Sequence, residues 1–229
     1  MFTVTVWLEI LMVSICVLSS CSLGATVNDL KLSDVECSAV LVDKMGERMK
    51  NPDLANKVTT TNEIDYKKAT SIFDFIVKDT YGVDMPLGDY CKGYVTLVVN
   101  IASTCGFANI NYAQLTMLDK EFGDKLRILS FPINQFYDRM QEGDGDEMLC
   151  HLKLRCASLG AILAKVNANG DSAIPLYKYL KEALPAADGK QDLTLNFEKF
   201  LIDKNGKPFK RYPFTATPMD MLDDIKSLL

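Results

Sequence analysis

The feature that most constrains the fold is a short apolar run that ends abruptly in small and polar residues around a cysteine. Residues 95–101 read VTLVVNI, a composition rich in β-branched side chains and typical of a buried strand. Leu115 and Leu118 then lie at helical spacing in a segment, 110–123, that ends in a glycine. The pattern predicts a strand followed by a helix, with Cys105 at the corner between them.

A cysteine in front of a helix is suited to thiol chemistry. A helix N-terminus stabilises a negative charge, and the thiolate is the nucleophilic form of cysteine. The alternative is that Cys105 is an inert core residue, because free cysteines are among the most often buried residues. Position alone leaves both interpretations open.

Five motifs surround this corner in a characteristic order. The run VNIASTCG at 99–106, with Asn111-Tyr112 and Gln114-Leu115 after it, resembles the peroxidatic motif of the glutathione peroxidase family, where a cysteine or selenocysteine occupies the place of Cys105. The other four motifs are FPINQF at 131–136, NG at 169–170, PLYK at 175–178 and NFEKFLIDKNG at 196–206. The resemblance covers residues 69–229 and implies a selenium-independent thiol peroxidase.

The coarse element order predicts an α/β fold. An early hairpin, the strand–helix–strand unit and a later helix precede a final hairpin, whose strands 195–202 and 208–212 flank the turn signal Asn205-Gly206. A C-terminal helix follows. This order, a mixed central sheet with helices on both sides, matches the thioredoxin-like fold that the resemblance implies.

Three segments are predicted: a signal peptide at 1–24, an extension and linker at 25–68, and the peroxidase-like domain at 69–229. The apolar stretch 4–18 and the small residues after it favour cleavage near Gly24-Ala25, and hence secretion. An uncleaved membrane anchor and a bacterial lipidation site around Cys21 are the alternatives. No other apolar run is long enough to span a membrane. The net charge of −5, without a basic block, argues against a nucleic-acid partner.

The extension contains one predicted amphipathic helix. Ser33 and Glu36 form a capping box, and Val35, Val42 and Met45 follow at helical spacing. Cys37 in this helix has three possible roles: it ties the extension to the domain, it pairs with another chain, or it is only a thiol on the helix face.

Five cysteines remain after the predicted cleavage, an odd number that leaves at least one thiol unpaired. The family resolves its oxidised cysteine, in the thioredoxin-dependent branch, with a second cysteine at a position that matches Lys153. Cys150 and Cys156 flank that position and are the possible resolving residues, with Cys150 expected to be the more accessible. Structural roles for both are the alternative.

The resemblance also implies which groups support the thiolate: a glutamine, a tryptophan and an asparagine. Asn196 matches the asparagine, but Leu195 stands where the family has tryptophan. Gln141 matches the glutamine, although two extra residues separate it from Phe136, and Gln135 is the competing choice. Two further departures lie nearby: Gly143 replaces a proline and Ala108 replaces a threonine.

The function expected from these residues is the reduction of hydrogen peroxide or organic and lipid hydroperoxides through Cys105, with glutathione or thioredoxin as the thiol co-substrate. No metal or other cofactor is expected, and His151, the only histidine, is interpreted as a surface residue. The segment 181–195 lacks the long loop of tetrameric relatives, so we expect a monomer. The alternative is a degenerate family member, weakly active or inactive, that acts as a secreted interaction module.

Overall fold

The structure is a computed structural model that describes residues 30–51, 53–54, 57–59 and 64–229. The predicted signal peptide, 1–24, and part of the predicted linker lie outside the described residues. None of the described helices is long and apolar enough to cross a membrane.

Within the described residues, seven strands form two sheets. The strands are β1 (Ile76–Lys78), β2 (Asp84–Pro86), β3 (Val95–Ile101), β4 (Leu126–Pro132), β5 (Ala161–Ile162), β6 (Lys199–Ile202) and β7 (Pro208–Tyr212). Strands β1 and β2 form the predicted early hairpin. The other five form a mixed sheet in the order β5-β4-β3-β6-β7.

Six α-helices accompany these strands in the described part of the chain. They are α1 (Asp34–Lys50), α2 (Leu87–Cys91), α3 (Ala108–Phe122), α4 (Asp146–Leu154), α5 (Pro175–Ala183) and α6 (Leu222–Leu228).

The strand–helix–strand unit at the centre is confirmed. Strands β3 and β4 are parallel, with Val95 opposite Leu126 and Ile101 opposite Pro132, and α3 makes the crossover between them. All seven residues of β3 are buried. A strand buried on both faces needs a continuous apolar run rather than an alternating one, which explains the composition of 95–101.

Successive residues of β3 point into two separate cores, as the period of a strand requires. Val95, Leu97, Val99 and Ile101 pack with side chains of α3, α4 and α6. Val98 packs on the other face with side chains of β1, α2 and α5. The sheet is therefore covered on both faces, and the predicted thioredoxin-like α/β fold is confirmed.

The predicted extension helix forms, and its apolar stripe faces away from the domain. Ser33 and Glu36 make both hydrogen bonds of the capping box. Val35 and Val42, however, are 80% and 66% exposed, whereas Cys37 is fully buried. The side of α1 that packs on the domain is thus the one that carries Cys37.

Helix α1 is attached to α4 by a disulfide between Cys37 and Cys150, whose Cα atoms are 4.9 Å apart. Arg48 and the buried Glu147 add an ion pair between the same two helices. Of the three roles considered for Cys37, the structure shows the tie to the domain.

Helix α4 ends earlier than predicted. The apolar spacing predicted a helix from Asp146 to just before Gly160 with Cys156 on its apolar face, but α4 ends at Leu154 and Cys156 is exposed with φ of 51°. The chain must turn here because β5 begins at Ala161 beside β4. Gly160 makes that turn with φ of 67°, and a Cβ atom there would overlap the carbonyl oxygen of Ile128.

We expect Gly160→Ala to destabilise the protein by about 3 kcal/mol or more, the sum of left-handed strain and a backbone clash. Gly170 is the matched control, because its φ is 73° and no atom lies within 4 Å of the point that a Cβ atom would occupy. Gly170→Ala should cost only about 1 kcal/mol. Urea unfolding of both variants measures the difference in the free energy of unfolding. Equal losses in the two variants would contradict the prediction, because the clash at residue 160 would then cost nothing.

Removal of the disulfide by Cys37→Ser/Cys150→Ser should lower the free energy of unfolding by about 2–5 kcal/mol, because the bond closes a loop with a sequence separation of 113. Cys91→Ser is the control, since Cys91 is a buried cysteine outside any disulfide. Because Cys156 is not a free thiol, a reductant can act on all of these proteins in urea unfolding, but it should cost the double variant about 2–5 kcal/mol less than it costs the native protein or Cys91→Ser. An equal reductant effect in all three proteins would contradict the prediction.

Candidate active site

Cys105 lies in the turn that joins β3 to α3, beyond the carboxyl end of β3. Its carbonyl oxygen accepts a hydrogen bond of 2.9 Å from the N–H of Ala108, the first residue of α3. The thiol is free and partly exposed, so a small molecule in solvent can reach it. Its position at the start of a helix is the one that the sequence predicts.

Asn196 lies at the same edge of the sheet. The N–H of Phe197 donates to the carbonyl of Asn100 at 2.8 Å, which places Asn196 beside the end of β3. Its side chain is fully buried, and neither its amide nitrogen nor its amide oxygen has a hydrogen-bond partner among the described residues. Buried amides are normally paired, so this one has hydrogen-bonding capacity that no described residue uses, and its role as a donor to Cys105 stays a prediction.

The structure separates the two glutamines. The Gln135 side chain accepts from the N–H groups of Ala168 and Asn169, at 2.7 and 2.9 Å, and donates to the carbonyl of Asn169. Its amide is therefore used to hold the 168–169 segment. The backbone N–H of Gln141 donates to the Ser103 hydroxyl at 3.4 Å, and its side chain is exposed. Gln141 is thus beside the turn that carries Cys105, and its role as a donor stays a prediction.

Leu195 stands at the position of the family tryptophan and is half-buried against the core that contains Val98. Its carbonyl accepts from the side-chain amide of Asn100 at 3.1 Å. The backbone of this segment is therefore anchored next to β3 even though the side chain has no N–H to donate.

The expectation that Cys150 is an accessible thiol is wrong. Cys150 is bonded to Cys37. It is also fully buried, since all residues of α4 from Glu147 to Leu152 are buried. Cys156 is not a free thiol either. Within the described residues the free cysteines are Cys91 and Cys105, and Cys91 is fully buried, so burial raises its pKa to about 11.

Lys153, which matches the family's resolving position, binds the extension instead. Its ammonium group donates to the carbonyl of Leu32 and lies 3.7 Å from the carboxylate of Asp34. Helix α4 is therefore engaged with the N-terminal extension at this position as well as through its disulfide.

The sequence analysis missed a buried polar group next to the site. His151, interpreted as a surface residue, is buried, and its Nδ1 lies 2.8 Å from Oε1 of Glu142. The ring of Tyr112 contacts the rings of His151 and Phe197, at centroid distances of 6.3 and 6.0 Å. The signal for Glu142 was its place directly after Gln141, but nothing local to His151 indicates its burial.

Electrostatics connect this group to the thiol. Burial raises the pKa of Tyr112, and the nearby Glu142 and Cys105 raise it further. Burial is the largest single influence on the pKa of Glu142 and would raise it, but His151 and the hydrogen bonds to the carboxylate together outweigh burial and lower the pKa to about 2. The Ser103 hydroxyl adds to that lowering of the Glu142 pKa.

No cluster of three or more histidine, cysteine, aspartate or glutamate residues that could hold a metal ion occurs in the part of the chain that the structure describes. The segments beside Cys105 carry hydroxyl groups, on Ser103 and Thr104, and carboxamide groups, on Gln141 and Asn196, and such neutral groups suit an anion or a developing oxyanion.

Comparison with known proteins agrees with this arrangement. The family model described as glutathione peroxidase matches residues 72–181. A probable phospholipid hydroperoxide glutathione peroxidase of Mesembryanthemum crystallinum is 44% identical over 160 residues, which cover 69% of this chain and 92% of that protein. One from Nicotiana sylvestris is 44% identical over 163 residues, which cover 71% of this chain and 95% of that protein.

Solved structures agree as well. The crystal structure of Trgpx in its apo form has 37% sequence identity and a TM-score of 0.58, and the match covers 70% of this chain and 96% of that one. The structure of T. cruzi GPX1 has 30% identity and a TM-score of 0.57, with 69% and 96% covered. The peroxidase class expected from the motifs is confirmed, and the chain belongs to the glutathione peroxidase family.

Proposed function

We propose that the protein is a secreted thiol peroxidase that reduces hydrogen peroxide and organic or lipid hydroperoxides through Cys105. The observation that carries the proposal is a free, partly exposed thiol at the carboxyl edge of the sheet and the start of α3. Lipid hydroperoxides are included because the relatives from M. crystallinum and N. sylvestris are named for them.

The first half of the reaction oxidises the thiol. The Cys105 thiolate attacks one peroxide oxygen, the S–O bond forms as the O–O bond breaks, and the departing oxygen takes a proton to leave as water or an alcohol. Asn196 and Gln141 are proposed to donate hydrogen bonds to the thiolate and to the oxyanion as it leaves. Cys105 is left as a sulfenic acid.

The second half needs a thiol from outside the domain. Cys150 is held in its disulfide, and Cys91 is buried in the core on the other face of the sheet. We propose that one external thiol condenses with the sulfenic acid, forms a mixed disulfide and releases water. A second thiol then releases Cys105 and a disulfide. Glutathione or thioredoxin is the proposed co-substrate, without any other cofactor.

Secretion is supported by the disulfide between Cys37 and Cys150, because such bonds persist in oxidising compartments. The apolar stretch 4–18 is consistent with this proposal. We further propose that the protein acts as a monomer, since the segment between α5 and β6 is short.

Cys105→Ser should reduce peroxide consumption at least about 100-fold, because a serine hydroxyl is not ionised at neutral pH and cannot accept the peroxide oxygen. Cys91→Ser is the control, since it removes the other free thiol of the described residues and should leave the rate unchanged. Consumption of hydrogen peroxide and of phosphatidylcholine hydroperoxide is measured with glutathione and with thioredoxin. A trap for sulfenic acids, read by mass spectrometry, should label Cys105, and unchanged turnover in Cys105→Ser would refute the proposal.

A second candidate function, a degenerate family member that serves as a secreted interaction module, is favoured by Leu195. Leucine cannot donate the hydrogen bond that an indole N–H would supply, and one lost donor can slow such a step about 100-fold.

Leu195→Trp distinguishes the two functions. We expect it to increase the rate of Cys105 oxidation by about 10-fold or more, because the half-buried position beside Asn196 can present an indole N–H to the site. Leu193→Trp, at a buried position two residues away, is the control. No peroxide reduction in either the native protein or Leu195→Trp would favour the interaction module.

A further inference from the structure

The side chains of Glu142 and His151 form a buried, hydrogen-bonded pair that the peroxidase reaction does not use directly. Nδ1 of His151 lies 2.8 Å from Oε1 of Glu142, and the side chains of His151 and Glu142 are only 8% and 11% exposed. A buried carboxylate is costly unless it is paired. Loss of the histidine would therefore leave the Glu142 carboxylate without this partner and favour a shift of the surrounding loop.

The loop that contains Glu142, residues 133–145, has no helix or strand. It also carries two residues in the left-handed region, Tyr137 and Asp138 with φ of 63° and 48°, in the segment between Phe136 and Gln141 that contains the two extra residues. A loop of this kind relies on side-chain contacts for its position.

One side of the loop holds the turn that carries Cys105. The carbonyl of Arg139 accepts from the N–H and the hydroxyl of Thr104, at 2.9 and 2.6 Å. The N–H of Gln141 donates to the hydroxyl of Ser103. The loop thus contacts the two residues that precede Cys105.

The other side of the loop is held by the pair. Glu142 follows Gln141 directly, and His151 is on α4. Tyr112 packs edge-on against His151 and against Phe197, which follows Asn196. The Glu142–His151 pair therefore connects α4 with Gln141 and, through Tyr112, with the segment that contains Asn196.

We propose that the Glu142–His151 pair is a positioning device that compensates for the insertion, holding Gln141 and the Ser103–Cys105 turn in place for attack on the peroxide. This inference rests on the proposed function, because it assigns the pair a role in the same reaction. Neither residue needs to touch the substrate. A displacement of about 1 Å at a reacting group can cost about 100-fold in rate.

The test compares His151→Leu with His151→Asn. Leucine removes the donor, whereas the asparagine amide nitrogen can occupy the place of Nδ1 and donate to Glu142. We expect His151→Leu to slow peroxide oxidation of Cys105 by about 10- to 100-fold, and His151→Asn to restore most of the rate. Quench-flow trapping of the Cys105 sulfenic acid measures that half-reaction without any reductant.

A matched control separates positioning from general destabilisation. Lys181→Met removes a buried charge on the far side of the sheet, where Nζ of Lys181 lies 2.6 Å from the Asp192 carboxylate. This variant should leave Cys105 oxidation unchanged. Amide exchange across 139–142 should accelerate in His151→Leu and not in Lys181→Met. If His151→Leu does not fold, Glu142→Leu, which removes the acceptor, should give the same slowing and the same local exchange.

The outcomes are distinct. A native protein whose Cys105 is not oxidised by peroxide refutes the proposed function. A native protein that reacts while His151→Leu or Glu142→Leu reacts equally fast refutes only the positioning role. Equal slowing in Lys181→Met would also refute it, because the effect would then follow from lost stability alone.

Discussion

The structure depends on the burial of β3 on both of its faces. Seven consecutive buried residues pair with β4 on one side and with β6 on the other. Because the side chains of a strand alternate, this one segment contributes side chains to both cores. The helices on each face of the sheet pack against it. The chain leaves the interior at Thr104, directly after the buried Ala102 and Ser103. Cys105 follows at that exit, so its thiol stands at the edge of the central strand.

The two groups proposed as donors to the thiol come from less regular segments. Asn196 is placed by the pairing of its neighbour Phe197 with β3, whereas Gln141 belongs to a loop held by polar contacts. One of those contacts, between Glu142 and His151, is buried, and a buried carboxylate is costly unless it is paired. The positions of the two proposed donors therefore depend on a backbone constraint on one side and on the Glu142–His151 contact on the other.

The N-terminal helix changes how α4 can behave. The disulfide between Cys37 and Cys150, the Arg48–Glu147 ion pair and the contacts of Lys153 all join the extension to this helix. An oxidised Cys105 in this arrangement meets no free cysteine from α4. The outer side of α1 exposes Val35, Val42 and Met45 to solvent. The apolar stripe of this helix therefore faces away from the domain instead of covering its core.

The sequence by itself determined the fold class, the strand–helix–strand unit around Cys105, the final hairpin at Asn205-Gly206 and the capping box of α1. These are local features, since hydrophobic period, turn chemistry and capping act between residues close along the chain. Only the tertiary structure decided the partner of Cys37, the burial of His151, the use of Gln135 by the 168–169 segment and the face of α1 that packs inward. Each of these depends on which distant segments meet, as in the disulfide across a separation of 113 residues, and no local pattern encodes such a meeting.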